Sequence, residues 1–283
     1  MKSLKDCYTL RNGVKIPCVG FGTWIKNDGQ VELDSVKEAL ACGYRHIDTA
    51  TSYGNEAAVG RAIKESGIPR EEIFVTTKLW NPDQGYDTTL RAFEKSIKLL
   101  DMDYVDLYLI HWPRPQGHKE DYQEINLQTW RAFEKLYKEG LIRSIGVSNF
   151  KPHHLQPLMD KAEIMPMVNQ IEFHVSQLQE ETVDFCKKND ILVEAWGPLA
   201  RGKIMDVESV QAMSQKYNKT IAQISLRWIL QKGILPLPKS VTPSRIQENA
   251  QLFDFELTDE DMKILDSIEG CEGTGMDPDK VKF

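Results

Sequence analysis

The sequence has no excess of positive charge. Its 283 residues include 35 lysines and arginines against 42 aspartates and glutamates, which gives a formal net charge of −7. This balance argues against a general attraction to nucleic acid or to an anionic membrane, so any bound anion should be held by a local basic site. No apolar run approaches the length of a membrane span. We therefore expect neither nucleic acid nor a membrane as a partner.

Cysteines are few and show no metal-binding or disulfide pattern. They are odd in number, widely spaced and free of any CxxC motif (Cys7, Cys18, Cys42, Cys186 and Cys271). This usage favours a reducing compartment. The opening residues MKSLKDCYTLRNG also lack the apolar segment of a secretion signal. Together these features predict a cytoplasmic protein.

Two glycine-rich phosphate-binding motifs are missing. The segment GFGTWIK at the end of the first predicted strand lacks the third glycine of the GxGxxG dinucleotide fingerprint, and a complete GxxxxGK(S/T) phosphate loop does not occur, because GPLARGK is followed by Ile204. No proline- or serine-rich segment interrupts the chain as a linker between domains would. These absences argue against an open dinucleotide-binding sheet and against a second domain.

Short β-rich segments alternate with segments of helical periodicity along the chain. The predicted strands are IPCVGFG, YRHID, EIFVTTK, DYVDLYLIH, IRSIGVSN, MPMVNQ, ILVEAW and ILPLPK. Intervening segments such as TTLRAFEKSIKLL space their apolar residues three and four apart, as amphipathic helices do. Asn12-Gly13 lies between two alternating runs and predicts a β-hairpin. The pattern predicts an α/β fold, a (β/α)8 TIM barrel that residues 1–283 form as a single domain.

Polar or aromatic side chains end the predicted strands from the second onward. They are Asp48, Lys78, His111, Ser148 with Asn149, Gln170, Trp196 and Lys239. In a barrel of parallel strands all these ends lie on one rim, where the active sites of this fold occur. Each residue alone also fits a structural role such as capping or packing. Their joint occurrence at consecutive strand ends predicts a functional site.

Three of these residues, with Tyr53 in the loop after Asp48, indicate proton transfer to a substrate oxygen. An ordinary tyrosine has a pKa of about 10, which is about 4 kcal/mol away from neutrality. We expect Lys78 to lower the pKa of Tyr53 and Asp48 to keep Lys78 protonated. His111 can hydrogen-bond the same oxygen. The set fits carbonyl reduction with Tyr53 as general acid, provided that a hydride source binds nearby.

The later strand ends are suited to a nicotinamide cofactor. Donors and acceptors for a carboxamide follow two of the strands (Ser148, Asn149 and Gln170), and Trp196 offers a flat face for stacking. The segment PLPKSVTPSRIQENAQ combines Lys239 and Arg245 with hydroxyl groups and a predicted helix start, which together can bind an anion. A capped surface helix with basic residues is the alternative explanation of this segment.

The ordered motifs resemble those of the aldo-keto reductase superfamily. The resemblance covers nearly the whole chain, through GFGTW, YRHIDTATSYGNE, TTKLW, DLYLIHWP, IGVSNF, VNQIEFH and PLPKSVTPSRIQEN. It implies a (β/α)8 barrel that binds NADP(H) without a Rossmann domain and whose bottom is closed by an N-terminal hairpin. It also implies the reduction of aldehydes and small ketones or dicarbonyls to alcohols.

The resemblance implies roles for individual residues. Tyr53 would be the general acid, tuned by Asp48 and Lys78, and His111 would orient the carbonyl. The cofactor contacts fall on the nicotinamide (Ser148, Asn149, Gln170 and Trp196), the pyrophosphate (Gly197, Pro198 and Leu199), the 2′-phosphate (Lys239, Ser240, Val241, Thr242 and Arg245) and the adenine (Glu248 and Asn249). The two cations favour NADPH over NADH, because a ribose hydroxyl would leave them without a partner. Tryptophan at position 196, where most relatives have tyrosine, resembles a bacterial subgroup that includes diketogluconate and glyoxal reductases.

Two features depart from the common family pattern. Val175 stands where relatives commonly have proline, which implies a changed loop rather than changed chemistry. The tail EGCEGTGMDPDKVKF is short compared with that of mammalian relatives, which predicts a more open site and broad specificity. Three tryptophans just past predicted strand ends (Trp24, Trp80 and Trp112) predict an apolar substrate pocket next to His111.

Three other functions remain open at this stage. A non-catalytic NADP(H)-binding redox-sensing subunit is the main alternative, although the complete set of proton-transfer residues argues against it. A Schiff-base aldolase would need a lowered pKa at Lys78, whereas Asp48 would raise it. A metal-dependent hydrolase would need clustered histidines, and only His111 is well placed, so we expect no metal. Nothing in the sequence demands an oligomer, and we expect a monomer.

Overall fold

An antiparallel hairpin opens the computed structural model, which describes residues 1–24, 29–271 and 273–283. Strands β1 (Cys7–Thr9) and β2 (Lys15–Pro17) pair across the predicted Asn12-Gly13 turn. Gly13 has a φ of 84°, in the left-handed region that glycine adopts without strain. The hairpin is therefore formed where the turn residues predict it.

Eight parallel strands form one sheet in which neighbours in space are neighbours in the chain. They are β3 (Phe21–Gly22), β4 (His46–Asp48), β5 (Phe74–Leu79), β6 (Leu107–Ile110), β7 (Ile145–Ser148), β8 (Val168–Glu172), β9 (Leu192–Trp196) and β10 (Leu235–Pro236). Gly20 N donates to Pro236 O at 3.1 Å and Gly22 N donates to Pro238 O at 3.0 Å. These bonds join the first strand to the last and close the sheet into the predicted (β/α)8 barrel.

The hairpin lies across the N-terminal end of this barrel. Tyr8 Oη donates to the carbonyl of Ile234 at 3.4 Å, and Asn12 Nδ2 donates to the carbonyl of Arg143 at 2.9 Å. Both carbonyls lie just before strands of the barrel, β10 and β7. The predicted closure of the bottom by the hairpin is therefore confirmed.

The first barrel strand is shorter than the sequence predicts. The run IPCVGFG was expected to form one strand, but Ile16 and Pro17 pair inside the hairpin and only β3 joins the barrel. At Gly20 the chain passes very close to its neighbours, because an added Cβ would lie 2.4 Å from Leu237 Cδ2 and 2.6 Å from His46 Nδ1. The place of Gly20 in the barrel thus depends on residues distant in sequence, which the local pattern of the run does not show.

Helices cover the outside of the barrel. In the described residues they are α1 (Gly29–Ala41), α2 (Glu56–Glu65), α3 (Tyr86–Leu100), α4 (Tyr122–Lys138), α5 (Pro152–Met159), α6 (Glu180–Lys188), α7 (Glu208–Tyr217), α8 (Ile221–Gln231), α9 (Pro243–Ala250) and α10 (Asp259–Asp266). The buried residues of α3 recur at helical spacing, as predicted, and Phe93 among them packs edge-on against Tyr108 of β6. None of these helices has both the length and the apolar character needed to cross a bilayer.

Alternate residues of the strands bring polar side chains into the barrel interior. His46 and Asp48 of β4 face Thr76 and Lys78 of β5, and all four are buried. His46 Nε2 lies 2.9 Å from Thr76 Oγ1. Because successive side chains of a strand point to opposite faces, the same register carries this polar column up to the C-terminal rim. The column ends at the candidate site.

Candidate active site

Asp48, Lys78 and Tyr53 form one hydrogen-bonded group at the C-terminal rim. Lys78 is fully buried, and its Nζ donates to Asp48 Oδ1 at 2.6 Å, to the carbonyl of Thr49 at 2.9 Å and to Tyr53 Oη at 3.3 Å. These acceptors match the three hydrogens of an ammonium group. Tyr53 ends a 3-10 turn (Thr51–Tyr53) just after β4, so a loop residue is held beside the strand end. The structure thus brings together the three residues that the sequence predicts.

The pKa of Tyr53 is shifted in the opposite direction from the one expected. Burial raises the pKa of Tyr53, and Lys78 opposes this only in part. Lys78 acts in the predicted direction and lowers the pKa of Tyr53, but loss of water around the phenolate outweighs the nearby cation, so the net pKa lies above the ordinary value. Burial also acts against the charged form of Lys78, but the negative charge of Asp48 and the hydrogen bonds to Asp48 and Tyr53 outweigh it and raise the pKa of Lys78. Tyr53 is consequently held as a phenol, the form that can donate a proton.

His111 lies beside Tyr53 as a neutral ring. The two ring centroids are 5.8 Å apart in an edge-on arrangement. Burial, assisted by the charge of Lys78, holds the pKa of His111 well below its ordinary value. Ser52 Oγ lies 3.4 Å from His111 Nδ1, and donation from this hydroxyl would leave the imidazole proton on Nε2. A neutral His111 can therefore donate a hydrogen bond without adding a charge to the site.

Asn149 is held tightly by its neighbours. Its Nδ2 donates to the carbonyl of His111 at 3.0 Å and to Ser148 Oγ at 3.1 Å, and its Oδ1 accepts from Trp196 Nε1 at 2.8 Å. Asn149 also has a φ of 64°, a left-handed conformation that asparagine tolerates better than most residues. These bonds connect the predicted carboxamide-binding residues with the indole of Trp196 and with the backbone of His111.

Gln170 connects the cofactor side of the site to the proton-transfer group. Its Nε2 donates to Asp48 Oδ2 at 2.8 Å and to Glu194 Oε2 at 2.8 Å. Both hydrogens of this amide nitrogen are therefore used inside the protein. In the described part of the chain, Gln170 Oε1 has no hydrogen-bond donor, and the residue lines the cleft. An acceptor is thus available to a ligand amide.

A cleft of about 550 Å³ contains most of the predicted site. Its lining includes, of those residues, Trp24, Asp48, Tyr53, Trp80, His111, Trp112, Ser148, Asn149, Gln170, Trp196, Gly197, Pro198, Leu199 and Lys239. Lys78 lies behind this lining and is bonded to two of its residues, Asp48 and Tyr53. The other six predicted cofactor residues lie beyond the lining, on α9 and the segment before it: Ser240, Val241, Thr242, Arg245, Glu248 and Asn249.

The C-terminal tail contributes to the lining of the cleft, although it is short. The ring of Phe283 stacks on Trp80 at 5.4 Å between centroids and meets Trp112 edge-on at 5.2 Å. Asn81 Nδ2 donates to the carbonyl of Phe283 at 2.8 Å. Met276 also lines the cleft. A short tail therefore suffices to form one wall of the pocket.

Side chains of the barrel rim anchor this tail. Lys151 Nζ lies 2.6 Å from Asp277 Oδ1, and His154 Nε2 lies 2.9 Å from Asp279 Oδ1. Within the described residues, His153, His154 and Asp279 form the only group with metal-ligand spacing. However, His154 Nδ1 accepts from Lys151 N at 3.0 Å, so the ring proton lies on Nε2 and points at Asp279. The group is therefore a tail anchor rather than a metal site.

The cationic end of the cleft is open to a ligand. Arg245 is exposed and, in the described residues, has no ion-pair partner, and the same holds for Lys239. Helix α9 begins at Pro243 after Thr242, as predicted, so free backbone amides lie between the two cations in sequence. Asn249 Oδ1 is buried without a hydrogen-bond partner in the described part of the protein. These unpartnered groups fit an anionic nucleotide.

Comparison with known proteins agrees with this geometry. A sequence model of the aldo/keto reductase family matches residues 18–269. The chain belongs to the aldo/keto reductase family. Glyoxal reductase of Bacillus subtilis (strain 168) is 52% identical over 281 residues, which cover 99% of each chain. The family and the subgroup that the motifs predict are both confirmed.

Solved structures of family members share the whole fold. The crystal structure of MGS-M4, an aldo-keto reductase enzyme from a Medee basin deep-sea metagenome library, aligns with a TM-score of 0.92 and 48% identity, covering 98% of this chain and 100% of that one. A mutant of Gox0644 in complex with NADPH aligns with a TM-score of 0.90 and 40% identity, covering 98% of this chain and 99% of that one. Membership of this oxidoreductase family confirms the predicted enzyme class.

The aldolase alternative fails on the state of the lysine. Lys78 has a raised pKa and all three hydrogens engaged, so it lacks the free amine that a Schiff base requires. Membership of the aldo/keto reductase family also argues against an aldolase. Lys78 acts on its neighbours as a fixed charge.

Several residues around the site were not predicted from the sequence. Met276 and Phe283 line the cleft through the tail, and Arg201 lines it from the loop after β9, with its guanidinium 5.0 Å from the ring centroid of Trp24. Glu194 lies beneath the cleft. The spacing of Glu194 and Trp196 two residues apart on one strand was the available signal, because both must face the interior. For the tail, no local pattern indicates where an aromatic residue folds back.

Proposed function

We propose that this protein reduces aldehydes and small ketones or dicarbonyls to alcohols with NADPH. The observation that carries the proposal is the phenol of Tyr53, which is bonded to a buried Lys78–Asp48 pair beside a neutral His111 in the cleft. The unpartnered acceptor of Gln170 and the free cations at the other end fit the two ends of NADPH. The family neighbour that binds NADPH supports the choice of cofactor.

Each site residue has a defined task in this reaction. NADPH supplies the hydride. Tyr53 donates the proton from Oη to the substrate oxygen, and Lys78 stabilises the phenolate that remains. His111 donates a hydrogen bond to the same oxygen and stabilises the charge that develops there. Asp48 keeps Lys78 protonated and in place.

The cofactor residues divide between the nicotinamide and the nucleotide ends. Ser148, Asn149 and Gln170 bind the carboxamide, and the exposed face of Trp196 stacks on the ring. The pyrophosphate follows the loop Gly197, Pro198 and Leu199. Lys239 and Arg245, with Ser240, Val241 and Thr242, bind the 2′-phosphate at the start of α9. Asn249 meets the adenine, whereas Glu248 Oε1 accepts from Thr220 Oγ1 at 2.7 Å and is partly used by the protein.

Small dicarbonyls are the substrates that the pocket favours. Its walls are the rings of Trp80, Trp112 and Phe283, with Trp24 at the edge, so the space next to Tyr53 and His111 is bounded by apolar rings. The similarity to a glyoxal reductase supports this class. The proposal also includes action as a monomer of one domain in the cytoplasm, in line with five cysteines that form no disulfide.

The direct test is oxidation of NADPH and, separately, of NADH by the purified protein with methylglyoxal and a panel of larger aldehydes. We expect turnover with NADPH and strongest activity with the small dicarbonyl. Absorbance loss of the cofactor measures the rate. Tight NADPH binding without turnover on any carbonyl would instead identify a redox-sensing subunit.

Removing the positive charges of Lys239 and Arg245 is expected to weaken the use of NADPH but not that of NADH. In the double variant Lys239→Met/Arg245→Met, the KM for NADPH should rise on the order of 100-fold, since two charge-assisted contacts are lost. The KM for NADH should change by no more than about twofold. Steady-state kinetics with each cofactor measures both values.

A matched control keeps the same change in net charge. The exposed Lys187 and Lys188 of α6 lie outside the cleft, so Lys187→Met/Lys188→Met should leave both KM values unchanged. Equal losses with NADPH and NADH in the first variant would show that these cations do not bind the 2′-phosphate.

Shortening Phe283 is expected to change substrate preference. Phe283→Ala removes the ring that stacks on Trp80, so bulky aromatic aldehydes should gain in kcat/KM relative to methylglyoxal by about tenfold. The ratio of the two kcat/KM values is the measurement. Phe255→Ala, which alters a ring packed near Tyr217 away from the cleft, is the control. If the ratio of the two kcat/KM values were unchanged in Phe283→Ala, the tail would not be part of the substrate site.

A further inference from the structure

Glu194 lies beneath the active site and has no assigned role in the reaction. It is on β9, two residues before Trp196, and is fully buried in the barrel. Its Oε2 accepts from Gln170 Nε2 at 2.8 Å, and the same nitrogen donates to Asp48 Oδ2 at 2.8 Å. One amide nitrogen therefore bridges two carboxyl groups that come from opposite parts of the barrel.

This bridge determines which way the Gln170 amide faces. An ionised Asp48 can only accept hydrogen bonds, so Nε2 rather than Oε1 must face it. A single bond to Asp48 would still let the amide pivot about that contact. The bond to Glu194 holds the second hydrogen of Nε2, which stops the pivot and directs Oε1 toward the cleft.

Glu194 holds Gln170 without adding a charge next to Asp48 at neutral pH. Burial, followed by the negative charge of Asp48, raises the pKa of Glu194 to about 8. The other titratable groups facing it are Lys78 on β5 and His46 on β4, whose Nε2 is 4.0 Å from Glu194 Oε1. Burial lowers the pKa of His46 to about 3, so this ring is neutral as well. The acid thus stays mostly protonated and acts as a hydrogen-bond acceptor through Oε2.

We propose that Glu194 is a positioning residue that orients Gln170 so that its Oε1 accepts the amide hydrogen of the nicotinamide carboxamide. The inference rests on the proposed function, because it assumes that NADPH occupies the cleft. Without the acceptor at position 194, one hydrogen of Gln170 Nε2 is left buried and unpaired. Since such a group is costly, the amide swings away from its place and the cleft loses a fixed acceptor.

The test uses a cofactor that lacks the relevant hydrogens. In the reduced 3-acetylpyridine analogue of NADPH a methyl group replaces the amide nitrogen of the carboxamide, so the analogue cannot donate to Gln170 Oε1. The dissociation constants of NADPH and of this analogue are measured by quenching of tryptophan fluorescence. The proteins compared are wild type, Glu194→Leu, which removes the acceptor, and Glu194→Gln, which keeps one. Thermal melting checks that both variants fold, which an apolar or amide side chain in a buried position permits.

The two variants should differ although both remove the acid. In wild type, NADPH is expected to bind about fivefold more tightly than the analogue, the worth of one such hydrogen bond. Glu194→Leu should weaken the binding of NADPH and leave the binding of the analogue unchanged. The dissociation constant of the analogue divided by that of NADPH should therefore fall toward one. Glu194→Gln should keep the wild-type value of this ratio. If Glu194→Leu keeps the wild-type ratio of the two dissociation constants, the proposal is overturned, since the bond to Asp48 alone would then be enough to orient Gln170. If wild type does not bind NADPH at all, the proposed function fails and the inference fails with it.

Discussion

Replacing Tyr53 with phenylalanine is expected to lower kcat for carbonyl reduction by 10²- to 10⁴-fold, on the order of the usual contribution of a general acid. The variant loses Oη, the one group of the ring that both reaches Lys78 Nζ, at 3.3 Å, and can give a proton to the substrate. The rest of the ring stays, so its edge-on packing against His111 is kept. The dissociation constant for NADPH should therefore remain close to that of wild type.

Burial raises the pKa of Tyr53 and so makes the phenol a weaker acid, which means that proton donation depends on stabilisation of the phenolate by Lys78. The phenol is protonated at the start of each turnover. After donation, the phenolate is adjacent to Lys78, whose own pKa is raised and whose charge is permanent at neutral pH. Among the described residues, Tyr53 has the only hydroxyl group that is hydrogen-bonded to Lys78 Nζ.

The measurement pairs kinetics with binding. Turnover with methylglyoxal gives kcat, and fluorescence titration gives the dissociation constant for NADPH. Tyr104→Phe serves as the control, because its ring packs on Arg70 away from the cleft and only its hydroxyl is removed. If Tyr53→Phe kept most of the wild-type kcat, Tyr53 could not be the proton donor.

Replacing Lys78 with methionine is expected to destabilise the protein as well as inactivate it. Lys78 and Asp48 are a buried ion pair at 2.6 Å, with side chains that are 0% and 5% exposed. Removing the cation leaves the carboxylate of Asp48 without its counter-charge, and breaking a buried pair in this way costs about 3–5 kcal/mol of unfolding free energy. Tyr53 also loses the cation that stabilises its phenolate, so kcat should fall together with stability.

A second substitution separates the two effects. In Lys78→Met/Asp48→Asn the buried charge is gone, so most of the lost unfolding free energy should return, whereas kcat should stay low. Denaturant unfolding followed by circular dichroism measures the free energies. Should the double variant be as unstable as Lys78→Met alone, the loss would come from packing around position 78 rather than from an unpaired Asp48.

Much of the site could be predicted because local patterns mark the strand ends. Asp48, Ser148 and Trp196 end strands in the structure as they do in the sequence pattern. Lys78 lies one residue before the end of β5, and His111 follows directly after the end of β6. In parallel strands of one barrel, such ends converge whatever the details of packing. Small errors in strand boundaries therefore did not move any residue away from the rim.

Other features could not be predicted because they depend on burial or on distant contacts. The sign of the pKa shift at Tyr53 is set by how completely the barrel excludes water from its ring. The predicted first strand is shared between the hairpin and the barrel, and its contacts at Gly20 are with His46 and Leu237, which are distant in sequence. The position of the tail was not predicted either, because Phe283 is held beside the cleft by Asn81, which is 202 residues away in the chain.

The sequence by itself determined the barrel, the family, and the set of acid, tyrosine, lysine and histidine that the chemistry needs. It could do so because strand and helix periods and the residues at strand ends are local properties. Only the tertiary structure decided that Tyr53 is a partly buried phenol with a raised pKa, that Phe283 forms a wall of the pocket, and that Glu194 reaches Gln170. These depend on which side chains meet in the interior, and burial and distance there change both hydrogen bonding and the free energy of a charge.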